Sequence, residues 1–114
     1  FTGLGAGVDV VHPSADLDRY AVVVVPTLYL CSDADADGIA AAARRGAQVV
    51  VTYFSGIADE RDHVRLGGYP GAFRELLGVR AEEFAPLPPG VTVTLDDGAT
   101  ADLWAEVLAA PDAE

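Results

Sequence analysis

Cys31 is the single cysteine of the sequence and its strongest candidate nucleophile. A catalytic cysteine in an α/β protein sits on a tight strand-to-helix turn, usually flanked by glycines, with a histidine base in reach. Leu30 and Ser32 flank Cys31 instead, and neither His12 nor His63 lies where such a base is expected. We therefore predict a buried cysteine that packs as a small hydrophobic side chain. A hydrolase that attacks with Cys31 is the alternative.

Three aspartates, Asp33, Asp35 and Asp37, imitate the first half of a calcium-binding EF-hand loop. The loop's last position, which requires a bidentate glutamate, is occupied here by Arg44. Carboxylates in the first turn of a helix are explained by the positive end of the helix dipole alone. This pattern therefore predicts a helix start and no calcium site.

Other residues with catalytic or ligating chemistry lack the partners that they need. Glu82 and Glu83 are adjacent and point apart, whereas glycosidase carboxylates face each other across about 5–10 Å. His12 and His63 have no second ligand at metal-binding spacing. The glycines of residues 3–7 precede a strand instead of linking a strand to a helix, so they predict no dinucleotide site. We predict no catalytic residue, no metal and no cofactor in this chain.

Charge and composition exclude two classes of partner. The net charge is −11, from 18 acids against 7 bases, and every base is arginine. Without a basic stripe, nucleic acid is not expected to bind. No run approaches the about 20 apolar residues of a membrane helix, and no signal-peptide pattern precedes the first strand. We expect a cytoplasmic protein, and the absence of methionine predicts that the chain is part of a longer polypeptide.

The first half of the chain has the pattern of a βαβ unit. Valine-rich runs at residues 8–11, 21–25 and 47–53 predict strands, and the unbroken run at 21–25 is typical of a parallel strand covered on both faces. Ser32 is a good N-cap, and Gly46 follows two arginines as a helix terminator. We expect a right-handed crossover between the two strands that flank this helix.

The second half is predicted to contain a short helix, a connector and a hairpin. The helix covers residues 72–77 and stops at Gly78, and a proline-rich connector covers residues 86–90. The sequence Asp96-Asp97-Gly98 is a strong hairpin turn, after an alternating strand at residues 91–95. Residues 101–110 have the composition of a helix, but they follow a hairpin and we predict a strand.

The segment SGIADERDHVRLGGYPGAFRELLG, residues 55–78, is the most distinctive part of the chain. It alternates acids and bases and then turns on a Gly-Gly-Tyr-Pro-Gly sequence. Long ordered loops in small domains usually carry function. We predict that this loop forms a subunit interface or a substrate wall, through the residues Asp59, Glu60, Asp62, Arg65, Tyr69 and Pro70.

Nearly the whole chain resembles the trimerisation domain of family 42 glycoside hydrolases, which are β-galactosidases. The resemblance runs through GVDVVHPSADLDRYAVVVVPTLYL, the long block AQVVVTYFSGIADERDHVRLGGYPGAFRELLGV, EEFAPLPPG and LWAEVL. It implies a flavodoxin-like fold of the class I glutamine amidotransferase type that has lost its catalytic apparatus. In that family the domain follows a catalytic TIM barrel, which supplies both catalytic glutamates.

The resemblance implies a single α/β domain over residues 1–114, a fragment of the family's trimerisation domain. Its parallel sheet with flanking helices is expected to be incomplete at both ends and to be followed by a C-terminal β-hairpin. The implied partners are further copies of the same protein in a homotrimer and the TIM barrel of the parent protein, whose active site the domain helps to enclose. Galactosides are contacted only indirectly. A stand-alone galactoside-binding module and a Cys31 hydrolase are the competing functions.

Overall fold

A parallel βαβ unit forms the first half of the computed structural model, which describes residue 3 and residues 5–110. Strand β1 (Val22–Val25) is joined through helix α1 (Asp33–Arg44) to strand β2 (Gln48–Val51). The strands are parallel, with Val22 opposite Gln48 and Val25 opposite Val51. The predicted strand–helix–strand order is confirmed.

Local capping explains both ends of α1. The Ser32 hydroxyl accepts the Asp35 N–H at 3.1 Å, which satisfies a donor that the helix leaves free. At the other end Gly46 has φ +101°, and the N–H groups of Gly46 and Ala47 bond back to Ala43 and Ala42. This is a Schellman arrangement, which only a residue tolerant of positive φ completes without strain. It turns the chain directly into β2.

One face of the β1–β2 sheet packs on α1 and the other is uncovered. The core joins Ile39 and Ala42 of the helix to Val25, Cys31 and Phe73, all of them buried. The opposite face presents Val22 and Val50, which are 48% and 43% exposed. The prediction that residues 21–25 are covered on both faces is therefore wrong for the described chain, because a single helix covers a single face.

Residues 8–11 do not form the strand that their valines predict. Val10 is 98% exposed, and within the described residues neither β1 nor β2 pairs with this segment. The segment is held by side chains instead, since Asp9 accepts hydrogen bonds from Arg19 at 3.0 Å and from the Tyr20 hydroxyl at 2.9 Å. A strand requires a neighbour for its backbone groups, and this one has none here.

The second half is built from antiparallel pairs. A 3₁₀ turn (Gly71–Phe73) leads into a one-turn helix, α2 (Arg74–Leu77), which ends at Gly78 with φ +65°. The other elements are strands β3 (Arg80–Pro86), β4 (Val93–Thr94), β5 (Thr100–Ala101) and β6 (Trp104–Ala109). Strand β3 pairs with β6, and β4 pairs with β5 across the predicted hairpin turn.

These elements settle two expectations for the second half. The choice of strand for residues 101–110 is confirmed by β6, and the C-terminal hairpin is confirmed by β4 and β5. Strand β3 was not predicted, because its Arg-Ala-Glu-Glu sequence has the composition of a solvated surface and its partner lies about 25 residues away in sequence. Within the described residues the parallel sheet has two strands, so the chain is an α/β domain with one parallel and two antiparallel pairs.

Aromatic side chains connect the two halves. Tyr53 and Phe54, which follow β2, pack against Trp104 of β6 with ring centroids 4.8 and 4.6 Å away. Phe84 of β3 lies 5.0 Å from Phe54 and 4.9 Å from Tyr69. Edge and offset contacts of this kind are favourable beyond the area that they bury. The loop between the halves is therefore fixed at both of its ends.

Candidate interaction surface

Ser55 attaches the start of the 55–71 loop to the end of β1. Its side chain is fully buried; the hydroxyl donates to the Val25 carbonyl at 3.3 Å and accepts the Leu28 N–H at 3.1 Å. Gly56 follows with φ +66°, and its N–H bonds to the Leu28 carbonyl at 2.7 Å. A Cβ at Gly56 would lie 2.9 Å from Phe73, so glycine is required by both conformation and space.

The loop continues as a small β-like layer. Ala58 bridges Leu30 in parallel and Val64 in antiparallel fashion. The Cys31 N–H bonds to the Ala58 carbonyl at 3.0 Å, and the Arg65 N–H bonds to the Ile57 carbonyl at 2.9 Å. Ala58 is fully buried, whereas Leu30 and Val64 on either side of it are exposed. The backbone pairing thus keeps the apolar side chains of Leu30 and Val64 exposed to solvent.

Asp59 is the hub of the turn that follows. Its Oδ1 accepts the N–H groups of Arg61 at 2.8 Å and His63 at 2.9 Å, and its Oδ2 lies 3.3 Å from the His63 ring. The hydrogen bond from the His63 backbone is the main cause that lowers the pKa of Asp59 below its usual value. The Asp59 carboxylate is therefore occupied within the loop, while Glu60 and Asp62 beside it are exposed.

Arg65 attaches the end of the turn to α1. Its Nη1 lies 2.6 Å from the Asp33 carboxylate, and its Nη2 donates to the Cys31 carbonyl at 2.7 Å. The side chain is only 20% exposed. A Cβ at Gly71 would lie 2.5 Å from that of Arg65, so this glycine makes room for the arginine. Arg65 is accordingly a structural residue of the loop.

Tyr69 and Pro70 are half-buried. The Tyr69 carbonyl accepts the Ala81 N–H at 2.7 Å, and its ring packs on Phe84. Both residues line a small cavity of about 70 Å³ that also contacts Glu106. The most exposed large apolar residue of the 55–71 loop is Leu66, at 88%.

The structure therefore divides the six predicted site residues into three pairs. Asp59 and Arg65 shape the loop from inside, Tyr69 and Pro70 join it to β3, and Glu60 and Asp62 face solvent. Sequence reasoning missed the exposed apolar residues, because the alternation in residues 63–66 predicts that the apolar side chains face the core. We call the outward-facing set the loop surface: Leu30, Glu60, Asp62, Val64 and Leu66.

Cys31 lies in an environment that suppresses nucleophilic chemistry. It is 1% exposed, and burial, with the Asp35 carboxylate as the second cause, raises the pKa of its thiol to about 11. Within the described residues its thiol has one hydrogen bond, to the Ser32 carbonyl at 3.5 Å. Cys31 is therefore a core residue of the βαβ unit.

Among residues 3 and 5–110, no three His, Cys, Asp or Glu side chains are grouped closely enough to hold a metal ion. No helix in the same residues is long and apolar enough to cross a membrane.

The fold and loop define an α/β domain with an ordered surface loop, and comparison with known proteins places it more narrowly. The model of the β-galactosidase trimerisation domain family matches residues 1–114, and the chain belongs to that family. A β-galactosidase from Arthrobacter sp. is 63% identical over 102 residues, which is 90% of this chain and 15% of that protein. Beta-galactosidase BbgII from Bifidobacterium bifidum is 40% identical over 109 residues, 91% of this chain and 16% of its own length.

Solved structures agree with this assignment. The cold-adapted β-galactosidase from Rahnella sp. R3 superimposes with a TM-score of 0.82 at 31% identity, over 93% of this chain and 17% of its own. A polyextremophilic β-galactosidase from the haloarchaeon Halorubrum lacusprofundi gives the same TM-score at 32% identity, over 93% of this chain and 16% of its own. The chain thus spans about one-sixth of the length of the relatives that it matches, in the region of a trimerisation domain.

The buried position of Cys31 predicts slow alkylation. At pH 8 in the folded state, labelling by iodoacetamide should be at least about 100-fold slower than in urea, because a pKa near 11 leaves about 100-fold less thiolate than an ordinary cysteine. Mass spectrometry of quenched samples measures both rates. Equal rates in the folded and unfolded states would show that Cys31 is accessible and ionised.

The Asp59 hub predicts an acid-sensitive loop. Folding lowers the pKa of Asp59, so its carboxylate stabilises the folded loop above the unfolded-state pKa. This stabilisation is lost as the pH falls through the lower, folded-state pKa. The amides of Arg61 and His63 should then lose protection from hydrogen exchange, after correction for intrinsic rates. Asp62→Asn should keep this pH step and Asp59→Asn should remove it. The same step in both variants would contradict the role of Asp59.

Proposed function

We propose that this chain is the assembly domain of a trimeric β-galactosidase, and that it contributes subunit contacts and no catalytic group. The observation that carries the proposal is the construction of the 55–71 loop. Its buried polar groups hold it rigid, while its exposed residues form a surface with no task inside the domain. Residues 1–114 act as a single domain, a fragment of the trimerisation domain attached to a TIM barrel in the parent protein.

The loop surface has the composition of a subunit interface. Leu30, Val64 and Leu66 provide apolar area, and the carboxylates of Glu60 and Asp62 provide a polar rim. Because the backbone is already fixed, little conformational entropy is lost when a partner binds. A three-fold ring joins two different surfaces of each subunit, so the loop surface contacts another part of the neighbour and not its own copy.

Two observations weigh against the competing functions. A hydrolase that uses Cys31 is disfavoured by the burial of this thiol and by its raised pKa. A galactoside-binding module needs exposed aromatic faces, but Tyr53 and Trp104 stack on each other at 17° and Phe54 packs on both. Galactosides are therefore contacted only indirectly, through the active site that the assembled subunits enclose around the catalytic barrel.

We also propose that the βαβ unit belongs to a larger flavodoxin-like sheet of the glutamine amidotransferase type. The uncovered apolar face with Val22 and Val50 supports this, because parallel strands are normally covered on both faces.

We further propose that the protein is cytoplasmic, which fractionation of the host cells tests. Recovery of the protein from the culture medium would contradict it.

Val50→Asp tests the larger sheet in the full-length protein. If the second face is covered there, the free energy of unfolding should fall by about 3–5 kcal/mol, the cost of an unpaired buried charge. Val93→Asp, in the exposed hairpin strand β4, is the matched control and should change it by less than about 1 kcal/mol. Chemical denaturation measures both. Equally small effects would mean that the face is open in the complete protein.

Leu66→Asp tests the loop surface in the full-length protein. A carboxylate placed in an apolar contact should raise the trimer dissociation constant at least about tenfold, or about 1.4 kcal/mol per interface. Leu103→Asp is the control, since Leu103 is also exposed and lies outside the loop. Sedimentation velocity over a nanomolar to micromolar range measures both. Unchanged trimers and unchanged β-galactosidase activity in both variants would contradict the proposal.

A further inference from the structure

Three arginines converge on one cleft between α1 and the Gly-Gly-Tyr-Pro-Gly turn. The cleft has a volume of about 940 Å³, and Arg65, Arg74 and Arg80 all line it. These are three of the seven bases in a chain of net charge −11. Volumes of this size are typical of sites for small molecules or for inserted side chains. Three carboxylates line the same cleft, so its charges balance in number and each guanidinium must be judged by its own partners.

Three glycines shape the walls on which these arginines lie. A Cβ at Gly67 would lie 2.6 Å from Arg74 Nη1, and one at Gly68 would lie 2.5 Å from Arg80 Cδ. Gly71 makes room for Arg65 in the same way. Gly67 and Gly68 also have φ of +91° and +97°, where other residues are strained. The arginine side chains therefore pack closely against the backbone of these glycines.

The three guanidinium groups differ in how their charge is balanced. Arg65 is neutralised by Asp33 at 2.6 Å, and Arg80 pairs with Glu82 at 2.8 Å through Nη2, where both side chains are about half exposed. Arg74 bonds to the carbonyls of Gly67 and Leu66, and among the described residues no carboxylate lies within 4 Å of it.

Arg74 thus holds a charge that is partly buried, well positioned and unpaired. Removing a guanidinium from water without an opposite charge is costly, and arginine recovers that cost best from a planar oxyanion. Arg65 adds to this, because its Nε is buried and has no hydrogen-bond partner among the described residues. Asp37 and Glu75 also line the cleft, and their charges oppose an anion.

We propose that this cleft binds a carboxylate through Arg74 and Arg80. The carboxylate belongs either to a small organic acid or to an acidic side chain of another subunit, because both present the same planar group to the guanidinium pair. None of the residues of the loop surface lines the cleft, and the two meet only where Arg74 bonds to the backbone carbonyl of Leu66. The cleft gives the domain a second contact, of ionic instead of apolar character.

The first arm of the test uses citrate and inorganic phosphate as probes for the full-length protein at low salt. Isothermal titration should show citrate binding that is weakened at least tenfold in Arg80→Gln and unchanged in Arg44→Gln, an exposed arginine of α1. Glu75→Gln should tighten binding severalfold, which a merely structural role for these residues would not do. Arg80→Gln leaves the Arg74 bonds to the turn intact, so loss of folding does not confound it. Binding of phosphate without citrate would overturn the assignment to carboxylates.

The second arm applies if a subunit's carboxylate already fills the cleft and citrate therefore does not bind the trimer. Arg80→Gln should then raise the trimer dissociation constant at least tenfold relative to Arg44→Gln, with unchanged circular dichroism. Arg80→Gln that matches Arg44→Gln in both arms would overturn the proposal. Because Leu66→Asp probes the loop surface separately, failure here leaves that proposal standing, and failure of Leu66→Asp leaves this one standing.

Discussion

The arrangement of the loop depends on the bonds that the Arg65 guanidinium makes. It reaches from the loop to the Cys31 carbonyl and to Asp33, so it ties the turn to the first residues of α1. The side chain is mostly buried, and its removal would leave the Cys31 carbonyl without this hydrogen bond, whereas Asp33 is 86% exposed and would stay solvated. Gly71 is needed to admit it, and Gly56 is needed to admit Phe73 behind it. Replacing this one side chain would loosen the loop, the cleft and the start of the helix together.

The domain consists of two small assemblies that need each other. The βαβ unit has a core under one face only, and the β3–β6 pair has its packing mainly through aromatic contacts with Tyr53, Phe54 and Tyr69. Neither is large enough to bury much apolar area alone. The loop connects the βαβ unit to the β3–β6 pair and is attached to both. Its rigidity therefore follows from its position, and a rigid loop is what a subunit contact requires.

The charged side chains of the loop and cleft fall into two groups: those that are paired within the domain and those that are free to contact another molecule. The carboxylates of Asp59 and Asp33 are engaged by backbone N–H groups or by arginine, whereas Glu60 and Asp62 remain in water. In the same way Arg65 is neutralised and Arg74 is not. A list of charged residues cannot make this distinction, because it depends on which backbone groups the folded loop presents to each side chain.

The sequence by itself determined the features that depend on near neighbours. Ser32 and Gly46 set the ends of α1, valine runs set β1 and β2, and Asp96-Asp97-Gly98 set the hairpin, since caps and turns are governed by residues within a few positions. The distinctive block at residues 55–78 was also sufficient to indicate the family. These signals located the ordered loop as a segment.

Only the tertiary structure decided what each residue of that segment does. Strand β3 exists because β6 pairs with it, and residues 8–11 remain outside the sheet because no neighbour pairs with them. Tyr69 is half-buried because Phe84 lies beside it, whereas the Leu66 side chain is 88% exposed. Long-range strand pairing determines which side chains are buried, and burial distinguishes structural residues from interface residues. The local sequence does not show which distant strand will pair with it.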